Sequence, residues 1–284
     1  MAYKSVEDLR QHRVFYHFLE ISKIPRQTFF EKKISDFILN WAKDLGLEVH
    51  QDEKWNLLIR KPATPGYEKQ KPIVIQAHID MVCEKRPEVE HDFRKDPIKL
   101  VLEGDILSTG NRTTLGADDG IGVAMAMAVL EDKTLKHPPV DVILTTAEEE
   151  DMSGALSVDK SWFNTNRLIN IDHIVDNEII AGSCGGIGVD LKFPVEYTKK
   201  TDNYKGYKIK ISGLRGGHSG EDIHKGRANA NVLLANLLNL LRERVNFLIS
   251  DLKGGNFRLA IPREAYVTLA LEEKDIDTLK DTVK

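Results

Sequence analysis

Ile73-Val74-Ile75-Gln76-Ala77-His78-Ile79-Asp80-Met81 carries the first strong structural signal in this chain. Its opening Ile-Val-Ile is an apolar, β-branched run of the kind that forms a buried strand. His78 and Asp80 stand two residues apart, and on a strand that spacing puts both side chains on one face. A carboxylate beside a histidine at the end of a buried strand is a common way to orient a metal ligand. Asp118-Asp119, Glu148-Glu149-Glu150, Asp172 and a glycine loop holding His218 follow downstream. Together they point to a carboxylate-rich two-metal hydrolase.

Outward from that strand, the spacing predicts a helix over 6–21, ended near Pro25, and a second over 31–45, closed by Gly46. Short strands are expected near 48–50 and 57–59. A small-residue helix is expected over 121–130, where Gly122, Ala124, Ala126 and Ala128 suit close packing on a sheet. Buried strands are expected over 141–145 and 168–171. Strands alternating with helices predict an α/β layer fold with a largely parallel sheet, whose ligands gather at the carboxyl ends of the strands. His78, Glu148 and Asp172 each sit just after an apolar strand, which is the main reason to group them.

The pattern changes after Gly185-Gly186. Strands are expected over 189–193 and 207–212, then a helix over 228–245, strands over 256–261 and 265–271, and a helix from Ile276. That order suggests a small α+β domain with a helix-covered sheet. The expected division is therefore 1–186 and 187–284, with Gly185-Gly186 and the Gly213–Gly220 link as hinge candidates.

Composition narrows the function classes. The 284 residues hold 44 Asp and Glu against 40 Lys and Arg, a formal charge of -4 without a dense basic run. That argues against a nucleic-acid partner. Hydrophobic residues make up 41%, enough for a substantial core. The N-terminus lacks an apolar signal region, no window is long and apolar enough to span a membrane, and Cys83 and Cys184 make no disulfide framework. A reducing cytoplasm is the expected setting.

Two dications held close together repel unless anionic oxygens lie between them. Asp118 sits in a glycine-flanked turn before a helix, where a carboxylate can project into a cleft; an aspartate there can equally cap the helix, a role that suits Asp119 better. Glu148-Glu149-Glu150-Asp151 would ordinarily be a solvated turn, but it follows a buried strand without a linker. One glutamate on a metal and its neighbour left free would supply a ligand and a general base. The loop Gly213-Leu-Arg-Gly-Gly-His-Ser-Gly220 has no phosphate-cradling spacing; His218 there could donate to a developing oxyanion or simply occupy a tight turn. Cys184 has no evident base beside it and reads as a small buried residue.

The set His78/Asp80, Gly116-Ala-Asp-Asp-Gly-Ile-Gly122, Glu148-Glu149, Asp172 and Gly216-Gly-His-Ser-Gly220 resembles the two-zinc aminopeptidase/carboxypeptidase superfamily with a lid domain. Within it, Thr113–Gly122, Gly213–Gly220 and Gly226-Arg-Ala-Asn-Ala230 look most like the aminoacyl-histidine (Xaa-His) dipeptidases. The resemblance covers essentially the whole chain. It implies two divalent cations, zinc first, with cobalt or manganese as alternatives. His78 and Asp172 would bind one metal, Glu149 the other, and Asp118 would bridge them. Asp80 would orient His78, Glu148 would be the general base, and His218 of the lid would polarise the substrate carbonyl, in several relatives across a dimer interface.

Two departures accompany the resemblance. Asp119 stands where close relatives often carry Asn, and members of the family continue past the equivalent of Lys284 to complete the lid and supply a last metal-binding His. His173 and His224 are poor substitutes for it. The chain is thus expected to be the front part of a dipeptidase with an incomplete α+β lid, acting on short peptides and dimerising through that lid. By itself it is expected to be weakly active. The alternatives are an inactive metal-binding or interaction module, and a tripeptidase or amidase of the same superfamily.

Overall fold

The computed structural model describes residues 3–284 except 87, 174, 176, 183–187, 201, 221 and 256. Cys184 and the hinge candidates Gly185-Gly186 lie outside the described residues. The chain forms two compact units, Met1–Ser183 and Cys184–Lys284.

In the first unit, the helical pattern at the N-terminus is split. A 3-10 turn spans Val6–Gln11, His12 is extended, and α1 runs over Arg13–Ile21. Helix α2 covers Lys32–Asp44 and buries Ile34 and Ile38 completely. Strands β1 (Glu48–Gln51), β2 (Leu57–Lys61) and β3 (Ile73–His78) follow, then a hairpin of β4 (Val101–Glu103) and β5 (Ile106–Ser108) that the sequence pattern does not announce. Helix α3 (Ala117–Glu131) packs on α1 and β3, and its Gly122, Ala124 and Ala126 allow the close approach. Strand β6 (Val140–Thr145), the short helix α4 (Ser153–Ser157) and β7 (Leu168–Asn170) complete the unit.

The main sheet has the order β1-β2-β6-β3-β7. The expected α/β layer is present, and the sheet is mixed: β1, β2 and β6 pair antiparallel, whereas β6, β3 and β7 pair parallel. All six residues of β6 are buried: it lies at the sheet centre, with Val140, Val142 and Leu144 in the main core and Ile143 packed with Leu58, Val74 and Trp162 in a second cluster. Register sets His78 opposite Thr145 and Gln76 opposite Asn170. The parallel strands therefore end together, and the residues just beyond them share one edge of the sheet. Beneath that edge lies a core of Phe18, Ile38, Leu57, Ile59, Met127 and Val142, among others.

The second unit is a three-stranded antiparallel sheet of order β8-β10-β9. Its elements are β8 (Tyr204–Ile211), α5 (Ala230–Arg242), β9 (Phe247–Gly254), β10 (Ala265–Glu272) and α6 (Ile276–Val283). Asn229 caps α5 by accepting from the backbone of Asn231 and Val232, and Ala230, Leu234 and Leu241 face the sheet. Two expected strands are not formed. Residues 189–193 make no strand, and Val189, Leu191 and Phe193 are exposed. Residue 256 lies outside the described residues, and 257–261 make only an isolated bridge, Ala260 to His218; the sheet takes 247–254 instead, followed by Gly255, which has a φ of 72° that favours glycine. No helix of the described residues is long and apolar enough to cross a membrane.

Candidate active site

The carboxyl edge of β6, β3 and β7 gathers the acids around one imidazole. His78 Nε2 lies 3.0 Å from Asp118 Oδ1, 3.8 Å from Glu148 Oε2 and 3.8 Å from Asp172 Oδ2. His78, Asp118 and Glu149 each offer a ligand atom within 4.8 Å of the others, and so do His78, Glu148 and Asp172. His78 is buried, whereas the side chain of Asp118 is 57% exposed and opens the cluster to solvent. Asp118 comes from the first turn of α3, where both it and Asp119 depart from helical dihedrals.

Asp80 is fully buried behind this cluster. Its Oδ1 lies 3.2 Å from His78 Nδ1 and accepts the backbone N–H of Glu148 at 3.1 Å. Its Oδ2 accepts the backbone N–H of Glu149 at 3.2 Å and the hydroxyl of Thr28 at 2.9 Å. One carboxylate thus joins the imidazole to the acidic turn. Burial pushes Asp80 upward, but His78 and the two backbone donors outweigh it and hold the carboxyl below its ordinary range.

Asp119 does not cap α3. It is buried, and its Oδ2 accepts the backbone N–H of His78 at 3.1 Å. Gly122 has no room for a side chain, since a Cβ there would fall 2.2 Å from Asp119 Oδ1.

The cluster holds more negative charge than His78 balances. Burial disfavours charge on His78, yet its hydrogen bonds to Asp118 and Asp80 dominate and raise it to about 11. Burial, reinforced by repulsion from Asp118, lifts Glu149 to about 7. Burial with Asp118 and Glu148 nearby lifts Asp172 to about 7, and burial with Asp172 nearby lifts Asp119 to about 8. Asp118, hydrogen-bonded to His78, is lowered.

The loop before α2 holds three groups that the sequence reading passes over. Arg26 is 2% exposed, and its guanidinium donates to the carbonyls of Ile79, Asp80 and Gly116. Thr28 donates to Asp80, and Glu31 accepts the backbone N–H of Ala147 at 3.0 Å. A lone Arg or Glu after Pro25 reads as surface; its partners lie too far along the chain for any local pattern to reveal them.

His218 belongs to the second unit. Its backbone N–H donates to Asp222 at 2.8 Å, and its Nδ1 accepts the N–H of Gly220 at 3.2 Å. Asp222 pairs with Lys225 at 2.7 Å and Arg227 at 2.9 Å, with Lys225 the main cause of a pKa of about 2. Of the two rejected histidines, His173 lies 3.2 Å from Glu178 and His224 sits in a 3-10 turn over Ile223–Lys225. Among the described residues neither joins the acid cluster.

Comparison with known proteins follows the same line. Residues 203–284 match the peptidase dimerisation domain. The chain is 41% identical over 266 residues to the cytosol non-specific dipeptidase of Escherichia coli K12, covering 94% of this chain and 55% of that protein. It shares its fold with the aminoacylhistidine dipeptidase of Vibrio alginolyticus, with a TM-score of 0.59 and 33% identity, covering 99% of this chain and 57% of that one. The chain therefore spans little more than half the length of either relative. The resemblance carried by the motifs is matched in both sequence and fold.

Proposed function

We propose that this chain carries the metal centre and the lid histidine of a two-metal dipeptidase that hydrolyses short peptides, Xaa-His dipeptides among them, in the cytoplasm. The observation that carries the reading is the convergence of Asp118, Glu148, Glu149 and Asp172 on His78. Dipeptidase relatives in sequence and in fold support it.

The donor set fits divalent cations. One imidazole nitrogen among carboxylate oxygens suits Zn2+, with Co2+ or Mn2+ also accommodated. Burial first, and neighbouring carboxylates second, raise Glu149 and Asp172, and a pair of cations would favour their charged forms. His78, Asp118, Glu149 and Asp172 would hold the cations in this reading. Bound there, the cations supply Lewis-acid polarisation of the scissile carbonyl and acidify the attacking water.

The remaining roles fall to this chain's own groups. Asp80 accepts the Nδ1–H of His78, which leaves Nε2 facing the acids as a ligand. Glu148 removes one proton from the attacking water and delivers it to the leaving amine as the C–N bond breaks. Gly220 donates to Nδ1 of His218, which places a ring proton on Nε2. That N–H is the donor a developing oxyanion requires. A second copy of the chain is the expected partner, through the dimerisation segment.

The test is metal content and turnover of the purified chain. After loading and dialysis it should retain zinc or cobalt, and Asp118→Ala should lose most of it. A dipeptide panel with and without C-terminal His then reports specificity. A chain that retains no divalent metal at all would contradict the proposal.

A further inference from the structure

We propose that Arg26 is a positioning residue for the metal centre: its guanidinium ties the segment after His78 to the turn carrying Asp118, and fixes their separation. This rests on the metal-site reading above and adds a determinant of its geometry. Arg26 Nη1 donates to the carbonyls of Ile79 at 3.2 Å and Asp80 at 2.8 Å, the two residues immediately after His78. Nη2 donates to the carbonyl of Gly116, two residues before Asp118. One planar group thus grips both ligand-bearing segments from behind.

Burying a cation without a directly bonded carboxylate is costly, and this one donates to carbonyl oxygens. The guanidinium suits the place because its rigid planar fork sends two separate nitrogens to the two segments, whereas an ammonium is a single point on a flexible stem. Packing leaves it no freedom: a Cβ on Gly116 or Gly120 would fall 2.5 or 2.6 Å from Nη2. The same loop reaches the third segment. Thr28 donates to Asp80, and Glu31 accepts from Phe29 at 2.9 Å and from Ala147, the residue before Glu148. Metal ligands must be held within about half an ångström of their working positions, and outer partners commonly change affinity by ~10–100-fold.

The experiment titrates Co2+ into the metal-free chain and follows its visible absorption, with far-UV circular dichroism as a check on folding. Arg26→Lys keeps the charge but not the fork. It should bind Co2+ at least ~10-fold more weakly and shift the visible band at saturation. Thr28→Val, which deletes one hydroxyl with little change of shape, should weaken binding in the same direction and decides the matter where Arg26→Lys does not fold. The core variant Ile38→Ala controls for lost stability and should keep the wild-type band. Wild-type affinity and band in folded Arg26→Lys overturn the proposal, as does unchanged Thr28→Val when the lysine variant is unfolded. An equal spectral shift in Ile38→Ala overturns it too. A wild-type chain that binds no Co2+ overturns the metal-site reading itself, an outcome distinct from the others.

Discussion

Asp80 Oδ1 lies 3.2 Å from His78 Nδ1 with neither group open to solvent, and the same oxygen accepts the backbone N–H of Glu148. The carboxylate therefore governs both the face His78 presents and the course of the chain entering the acidic turn. Asp80→Asn should keep the shape and lose the charge. Zinc affinity, measured by competition with a chelator, is expected to fall ~10–100-fold. Unchanged affinity would show that His78 is oriented by packing alone.

Glu148 should matter for rate more than for metal retention. Its side chain is 32% exposed, open enough to meet a water, and its Oε2 lies 3.8 Å from His78 Nε2. Glu148→Gln is expected to retain metal and to lower kcat for dipeptide hydrolysis by ~10²–10⁴-fold, the scale of general acid–base catalysis. Metal loss with proportionate loss of activity would instead make Glu148 a ligand.

How far the site could be read from the chain depends on the reach of each signal. Strands β3 and β6 are short apolar runs whose partners are equally apolar, so local pattern and tertiary position agree, and the acids that follow them inherit one edge. Strand β9 failed that test. Ser250, Asp251, Lys253 and Gly254 interrupt its apolar residues, and a register shift at Thr268/Leu269 breaks the alternation. Residues 189–193 have the right composition for a strand and yet join no sheet of the described residues, because composition does not specify a neighbour. Asp119 departs from the expected cap for a related reason. An aspartate at a helix start usually caps it, but this one is turned inward to the His78 backbone by contacts invisible locally.

The core beneath the site should be sensitive to truncation. Ile38 is completely buried in α2, whereas Leu156 on α4 is 83% exposed. Ile38→Ala is expected to cost about 2–5 kcal/mol in urea unfolding, and Leu156→Ala less than about 0.5 kcal/mol. Equal shifts of the two midpoints would mean that α2 is not part of the cooperative core.

Acid should destabilise the first unit partly through His17. This residue is 1% exposed and edge-on to Trp41, with Nε2 3.1 Å from Glu131 Oε1. Burial outweighs the attraction of Glu131 and lowers its pKa from the ordinary 6.5. The unfolded chain therefore takes up the proton first. Stability is independent of His17 well above pH 6.5, and falls as pH drops from 6.5 toward the folded-state pKa. His17→Gln should lose less Tm than the wild type between neutral pH and pH ~5. An identical loss in both proteins would remove His17 as a source of acid sensitivity.

The dimerisation segment has two open sheet edges, and they are unlike. Along β8 stand Lys205, Lys208 and Lys210, all exposed, the kind of charge that blunts an edge against pairing. Along β9, Ile249 and Leu252 pair with Leu269 and Val267, whose side chains are completely buried. Ile249 and Leu252 share that helix-covered face and yet remain 50% and 55% exposed. An apolar edge continuous with a core is the better template for a second copy, since antiparallel pairing there would extend the sheet and cover both residues. Leu252→Lys is therefore expected to convert dimer to monomer in sedimentation velocity without changing the far-UV spectrum, while Lys208→Glu on the opposite edge leaves the dimer intact. A dimer that survives Leu252→Lys and dissociates with Lys208→Glu would assign the interface to β8.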